Sequence, residues 1–307
     1  MICAPASPPT GRFAPSPTGP LHLGSLVAAV GSWLFARSRG GTWLVRMEDL
    51  DTPRVVPGAA DDILRTLERY GLTWDGEVVF QSQRNEAYEE ALRILRMKEL
   101  LFPCACTRSE LARAASAPDR SDASETAVYP GTCRAGLPPG RPARAFRFRV
   151  PAGVFTFEDI LLGPFSEDVS VSVGDFVVKR ADGPYAYQLA VVVDDAAQGV
   201  TEVVRGADLL DSTERQIALQ RALGLPTPAY AHLPLVVSLD GSKLGKRDGA
   251  LPLAQQDSVR VRKMLALALR ILGQSPTDGT PAEMLEDVRR RFDPGAIPGG
   301  PLRIAGT

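Results

Sequence analysis

Two short stretches carry side chains able to hold a phosphate. The first runs over residues 11–25, where three prolines and three glycines stiffen and turn the backbone before a helical pattern begins. It closes on His22, Leu23, Gly24 and Ser25. A strand, a rigid turn and a helix N-terminus make an anion site, because unpaired N–H groups and the helix dipole face the same place. There His22 would donate to phosphate, and Gly24 would let a nucleotide approach the backbone. Taken alone, the tetrapeptide is also read as a plain helix start. The second stretch is Lys243, Leu244, Gly245, Lys246 and Arg247, in a glycine-flanked loop. Alone, it reads as a solvated turn. A mobile loop with two lysines would also close over a triphosphate and stabilise charge on the leaving pyrophosphate. The two stretches together, each just after a strand-like run, are more specific than either one.

A third group is Cys104 and Cys106, followed by Tyr129 and Cys133. Three thiolates and a fourth donor fit a closed tetrahedral zinc site. Three reduced structural cysteines are the other reading, since the Cys-x-Cys spacing is short and a phenolate is a rare ligand. The chain has only four cysteines, which is no disulfide framework. Cys3 lies outside the pattern.

These residues need a scaffold. The chain has 307 residues, 44% hydrophobic and 23% charged, enough for a substantial core. Its formal net charge of −1 excludes a global basic field, so a nucleic acid would be held by local patches. No run approaches the roughly 18 apolar residues of a membrane span. Residues 1–10 lack a basic, apolar leader pattern. A cytoplasmic protein with no membrane partner is expected.

Residues 10–14 read as a strand, 24–37 as a helix and 42–47 as the next, parallel strand. That strand ends in Glu48, Asp49, Leu50 and Asp51, at the sheet edge where open α/β folds bind ligands. Helices follow at 57–70 and, capped by Ser82, at 83–101. Residues 103–145 are poor in large apolar side chains, so the cysteines would supply their core. Strands recur over 144–180. Helical character returns over 185–195, and 201–205 forms a strand. Asp211 and Glu214 suggest a capping box for a helix reaching Leu223. Residues 232–238 read as a last buried strand, and helices close the chain at 258–272 and 281–292. The expected division is 10–102 and 181–257 as two halves of a catalytic domain, 103–180 as an insertion, and 258–307 as a helical tail.

With these motifs in place, the sequence resembles the class I aminoacyl-tRNA synthetases. His22 to Ser25 looks like their first signature and Lys243 to Arg247 like their second. Arg12 to His22, Arg46 to Asp51 and Val204 to Asp208 are similar to hallmarks of the glutamyl branch. The resemblance covers about residues 11–253. It implies an α/β fold, with a Rossmann-type parallel-sheet catalytic domain and an inserted zinc-binding subdomain. It also implies ATP, with Mg2+, as a substrate and His22, Lys243 and Lys246 as catalytic groups, with Gly24 also at the ATP site. The residue chemistry suits L-glutamate, which has two carboxylates and one ammonium. Arg12 and Arg205 can each fork onto a carboxylate, as lysine cannot. Glu48 can hold the ammonium and Tyr187 can add a hydroxyl. The resemblance places these residues around glutamate, with Phe13, Ala14, Pro15 and Ser16. Asp194 and Asp195 either orient a ribose or fix a helix. One departure is Gly245, which stands where the second signature usually has serine.

Length separates the branches. Ordinary glutamyl-tRNA synthetases continue into a helical anticodon-reading domain, and the segment after the lysine loop is too short for one. The truncated glutamyl-Q tRNA(Asp) synthetases resemble this chain in length and in a Cys-x-Cys…Tyr-x-x-x-Cys zinc pattern. This implies attachment of glutamate to the queuosine base in the anticodon loop of tRNA(Asp), by a monomer. The alternatives are a shortened glutamyl-tRNA synthetase charging the tRNA 3′ end and a catalytically silent RNA-binding adaptor.

Overall fold

The computed structural model describes residues 7–107, 109–111, 128–180, 183–238 and 253–304. The lysine loop with Lys243, Gly245 and Lys246 lies outside them. Strand β1 (Thr10–Phe13) pairs in parallel with β2 (Thr42–Met47), and β2 pairs in parallel with the short β3 (Val79–Phe80). A second sheet has the order β7-β6-β10-β9, formed by β6 (Phe155–Asp159), β7 (Gly163–Glu167), β9 (Glu202–Gly206) and β10 (Ala229–Leu233). β9 and β6 both run parallel to β10, and β7 closes the edge antiparallel to β6. The two sheets meet at β1 and β9. The N–H of Thr201 donates to the carbonyl of Thr10 at 2.9 Å, and the N–H of Thr10 donates to Thr201 Oγ1 at 2.9 Å. The chain crosses from one half to the other here, so the strand order reverses between β1 and β9. This switch point is where doubly wound sheets bind ligands.

Helix α1 (Leu23–Arg37) covers the junction, with Leu26, Val30 and Leu34 completely buried. Gly31 lets it approach β10, since a Cβ there would sit 2.5 Å from Leu233 Cδ1. Helices α2 (Ala59–Arg69) and α3 (Asn85–Met97) follow the expected apolar faces. The antiparallel sheet β4-β5-β8 stands beside the main sheet, built from β4 (Leu101–Cys104), β5 (Ala145–Phe148) and β8 (Phe176–Arg180). β6 and β7 also lie within 103–180, yet they extend the main sheet. After the one-turn helix α4 (Val169–Ser172) come α5 (Tyr187–Ala197) and α6 (Thr213–Leu223). The last helices, α7 (Ser258–Ile271) and α8 (Pro281–Arg290), bury Leu265, Leu269, Leu285 and Val288 in the same core as α1. No described helix is long and apolar enough to cross a membrane.

Three local expectations change. Ser82 does not cap α3. Its N–H and hydroxyl both donate to the Asp49 carboxylate, at 2.8 and 2.6 Å, and α3 starts three residues later without a side-chain cap. Asp211 and Glu214 form no capping box, because a 3-10 segment (Ala207–Ser212) runs straight into α6 and already orders that turn. The run 232–238 is two strands, β10 and β11 (Val236–Ser238), broken at Pro234, which lacks an N–H for the ladder. β11 pairs in parallel with β12 (Leu302–Ile304), which the periodicity did not reveal.

Candidate functional site

A cavity of about 560 Å³ opens at the C-terminal ends of β1 and β9. Arg12, Phe13, Ala14, Pro15, Ser16, His22, Gly24, Glu48, Tyr187 and Arg205 all line it, so the structure gathers every described candidate except the cysteine group and the pair Asp194 and Asp195. The stiff stretch after β1 is pinned from two sides. The N–H of Glu48 donates to the carbonyl of Pro15, and that of Val56 to Pro17, each at 3.0 Å.

The two arginines are held differently. Arg12, 3% exposed, donates Nε and Nη2 to the Asp195 carboxylate at 3.2 and 3.5 Å. Arg205, 5% exposed, makes five described hydrogen bonds, all to neutral atoms. Its Nε meets His232 Nε2 at 3.1 Å, and Nη1 meets Gln216 Oε1 at 2.8 Å and Tyr187 Oη at 3.4 Å. Nη2 meets Thr213 Oγ1 at 2.8 Å and the carbonyl of Leu209 at 3.2 Å. No described carboxylate lies within salt-bridge reach of Arg205. A buried cation held by neutral groups calls for an anion, because an uncompensated buried charge is costly.

Glu48 supplies the opposite sign. Its Oε1 accepts from Arg46 Nη2 at 3.3 Å. Burial pushes the Glu48 carboxyl above its ordinary value, against the pull of Arg46 and Arg12. Arg46 lies below the cleft, completely buried, with Nη1 donating at 2.8 Å to both Asp195 and Gln198. Burial works against its charge, but Asp195, Glu48 and Asp194 together hold it firmly protonated. Asp195 is depressed below its usual range: burial opposes this, and Arg12 and Arg46 outweigh it. Asp194 accepts from Gln81 Nε2 at 2.8 Å, Arg84 Nε at 2.5 Å and Tyr88 Oη at 2.7 Å. Neither aspartate lines the cavity, so both fix α5 and the arginines instead of meeting a ribose.

His22 is both an exposed cleft residue and the N-cap of α1. Its Nδ1 accepts the N–H of Ser25 at 3.3 Å, and its Nε2 lies 3.2 Å from Ser25 Oγ. A side chain at position 24 would crowd this ring, with a Cβ 3.2 Å from its Cε1 and Nδ1. Gly24 therefore leaves room for the His22 imidazole.

The cysteine group lies away from the cleft, at the end of β4. Cys104, Cys106 and Cys133 place their sulfurs within 4.8 Å of one another. The Cys106 and Cys133 sulfurs are 3.7 Å apart. Two corners of a tetrahedral zinc site with arms of about 2.3 Å stand roughly 3.8 Å apart. Tyr129 Oη lies 3.5 Å from Cys104 Sγ and 3.9 Å from Cys106 Sγ, where a fourth donor belongs. Burial opposes ionisation of Cys104, but hydrogen bonds from Tyr129 and Arg147 bring it down to about 7. Burial and its thiol neighbours push Cys106 up to about 11. The Arg147 guanidinium sits 3.9 Å above the Tyr129 ring and adds positive charge beside the group. The donor set and its spacing fit a metal.

Sequence reasoning missed Arg46, His232 and Asp159. Arg46 had a signal, as a cation inside an apolar strand. His232 had a weaker one, as one of only two histidines in the chain. Asp159 had none.

Comparison with known proteins agrees with this geometry. Residues 10–294 match the family described as tRNA synthetases class I (E and Q), catalytic domain. The chain is 58% identical to the glutamyl-Q tRNA(Asp) synthetase of Geobacter sulfurreducens over 306 residues, 97% of each chain. It is 59% identical to the enzyme of the same name from Aromatoleum aromaticum, over 90% of this chain and 85% of that one. Among solved structures, a glutamate-tRNA synthetase from Elizabethkingia anophelis superposes with a TM-score of 0.80 at 28% identity. That match covers 97% of this chain and 68% of the other. A Rossmann-type sheet, an acid and two arginines at its switch point, and this likeness along almost the whole length lead to one assignment. The chain belongs to the class I tRNA synthetases of the E and Q type, in the branch of the glutamyl-Q tRNA(Asp) synthetases.

Proposed function

We propose that the protein activates L-glutamate with ATP and transfers it to the queuosine base in the anticodon loop of tRNA(Asp). The observation that carries the substrate is Arg205, a buried cleft cation whose described partners are all neutral. Arg205 takes one glutamate carboxylate with the help of Tyr187, and Arg12 faces the other. Glu48 takes the ammonium. Phe13, Ala14, Pro15 and Ser16 form the wall against which the ligand is oriented. ATP lies along the N-terminus of α1, beside His22 and Gly24, with Mg2+ on its phosphates.

An oxygen of the glutamate α-carboxylate attacks the α-phosphorus, and the bond to pyrophosphate breaks. The residues act by positioning and by stabilising charge, with His22, Lys243 and Lys246 on the phosphates. A hydroxyl of the queuosine diol then attacks the adenylate carbonyl. AMP leaves, the hydroxyl proton is lost and an ester forms. Cys104, Cys106, Tyr129 and Cys133 would hold one structural zinc ion, cross-linking the small buried cluster around Phe102 and Tyr129. The enzyme acts as a cytoplasmic monomer.

Glutamate-dependent exchange of labelled pyrophosphate into ATP, without tRNA, tests the first half-reaction. The wild type exchanges, and Lys246→Ala abolishes exchange while its circular dichroism is unchanged. Full exchange in that variant contradicts the mechanism. No exchange in the wild type favours the silent adaptor.

A further inference from the structure

His232 sits on β10 directly behind the cleft, 1% exposed, and does not line the cavity. Both ring nitrogens are engaged. Nδ1 lies 2.6 Å from Asp159 Oδ2. Nε2 lies 3.1 Å from Arg205 Nε and 3.3 Å from Thr213 Oγ1. A guanidinium has donors only, so Nε2 must accept and carries no proton. The ring's proton therefore sits on Nδ1 and is donated to Asp159. The other oxygen of Asp159 accepts the N–H groups of Leu161 and Leu162, each at 3.0 Å, which fixes how the carboxylate turns.

We propose that Asp159 is a positioning residue for glutamate recognition. It locks His232 in the Nδ1–H tautomer, so that a neutral acceptor aims Arg205 and leaves its charge for the substrate carboxylate. The contrast is Arg12, where a carboxylate, Asp195, holds the guanidinium directly and takes up its charge. An acid at position 232 would aim Arg205 equally well and weaken it as a receptor. The arrangement also has a topological consequence. Asp159 ends β6, which leaves the 103–180 segment to join β10 at the single register pair Tyr230 and Asp159. Asp159 thus links that segment to the amino-acid site through His232 and Arg205. The inference rests on Arg205 being the receptor for a glutamate carboxylate.

Asp159→Asn separates tautomer from shape. Its amide oxygen still takes the two N–H groups, and its NH2 then faces His232 Nδ1. The ring proton moves to Nε2 and confronts Arg205 Nε–H, donor against donor. The chain has only two histidines, so nitrogen NMR of the histidine-labelled full-length protein resolves both rings. At pH 7.5, His232 of the wild type is expected in the Nδ1–H form and that of Asp159→Asn in the Nε2–H form. In pyrophosphate exchange the KM for glutamate rises at least tenfold, while the KM for ATP is unchanged. His232→Gln, which can still present an acceptor to Arg205, keeps a lower glutamate KM than His232→Leu. This comparison stands even if Asp159→Asn does not fold. A wild-type His232 that is Nε2–H or doubly protonated overturns the proposal. So does a tautomer shift with no change in glutamate KM, or equal KM values for the Gln and Leu variants. An unchanged glutamate KM in Arg205→Ala instead overturns the underlying reading of Arg205, and the NMR result distinguishes the two failures.

Discussion

Arg46 Nη2 lies 3.3 Å from Glu48 Oε1, so a completely buried guanidinium anchors an acid that lines the cleft together with Arg12 and Arg205. The same guanidinium meets Asp195, which in turn holds Arg12. The amino-acid site is therefore built on an ion network below its floor. Removing Arg46 takes the hydrogen-bonded cation from buried Glu48 and leaves Asp195 to Arg12 alone. Arg46→Met should lower stability by about 3–5 kcal/mol in urea denaturation. A loss below 1 kcal/mol would mean that the acids find other partners.

Glu48 predicts a pH dependence. Burial raises its pKa above the ordinary carboxylate value, despite Arg46 and Arg12. Only the ionised form attracts an ammonium. The kcat/KM for glutamate reports the free enzyme, so it should fall as pH drops through that raised pKa. The falling limb should lie above the ordinary carboxylate range. Glu48→Gln should remove this limb and raise the KM for glutamate roughly 10- to 100-fold, as expected for loss of a charged hydrogen bond. Pyrophosphate exchange measured across the acid range checks both.

The cysteine group predicts a metal-dependent segment. Among the described residues its buried cluster comprises Phe102, Cys104, Ala105, Tyr129 and Cys133, with Cys106, Leu111 and Leu137 packed against it, and a cluster this small gains most from a cross-link. Metal analysis of the purified protein should find about one zinc per chain, and Cys133→Ala should lose it. Chelation should melt the Cys104–Cys133 region first, because binding free energy at such sites is folding free energy. Limited proteolysis would locate the cut there while the α1 core persists. A metal-free protein of unchanged stability would return the three thiols to a purely structural role.

Much of the site was legible because it lies on local patterns. The strand, turn and helix around Arg12 and His22 are written in one continuous stretch, and Glu48 closes the next strand. Tyr187 and Arg205 were found through their resemblance to a known motif. What escaped was the network that no local pattern encodes. Arg46 on β2 meets Asp195 on α5, and Asp159 at the end of β6 meets His232 on β10, so both pairs are made by tertiary packing between distant segments. The same limit explains the element errors. Ser82 has the residue type of a cap, yet a carboxylate 33 positions away takes it instead. Leu302 to Ile304 has no strand signal until β11 is beside it.

Transfer to queuosine is the central claim, and mapping the attached glutamate tests it most directly. Labelled glutamate is incubated with enzyme, ATP and tRNA(Asp), with and without queuosine, and the RNA is digested into defined fragments. The label should appear in the anticodon fragment, and only when queuosine is present. Label at the 3′-terminal fragment, or equal label without queuosine, would contradict it and leave a shortened glutamyl-tRNA synthetase in its place.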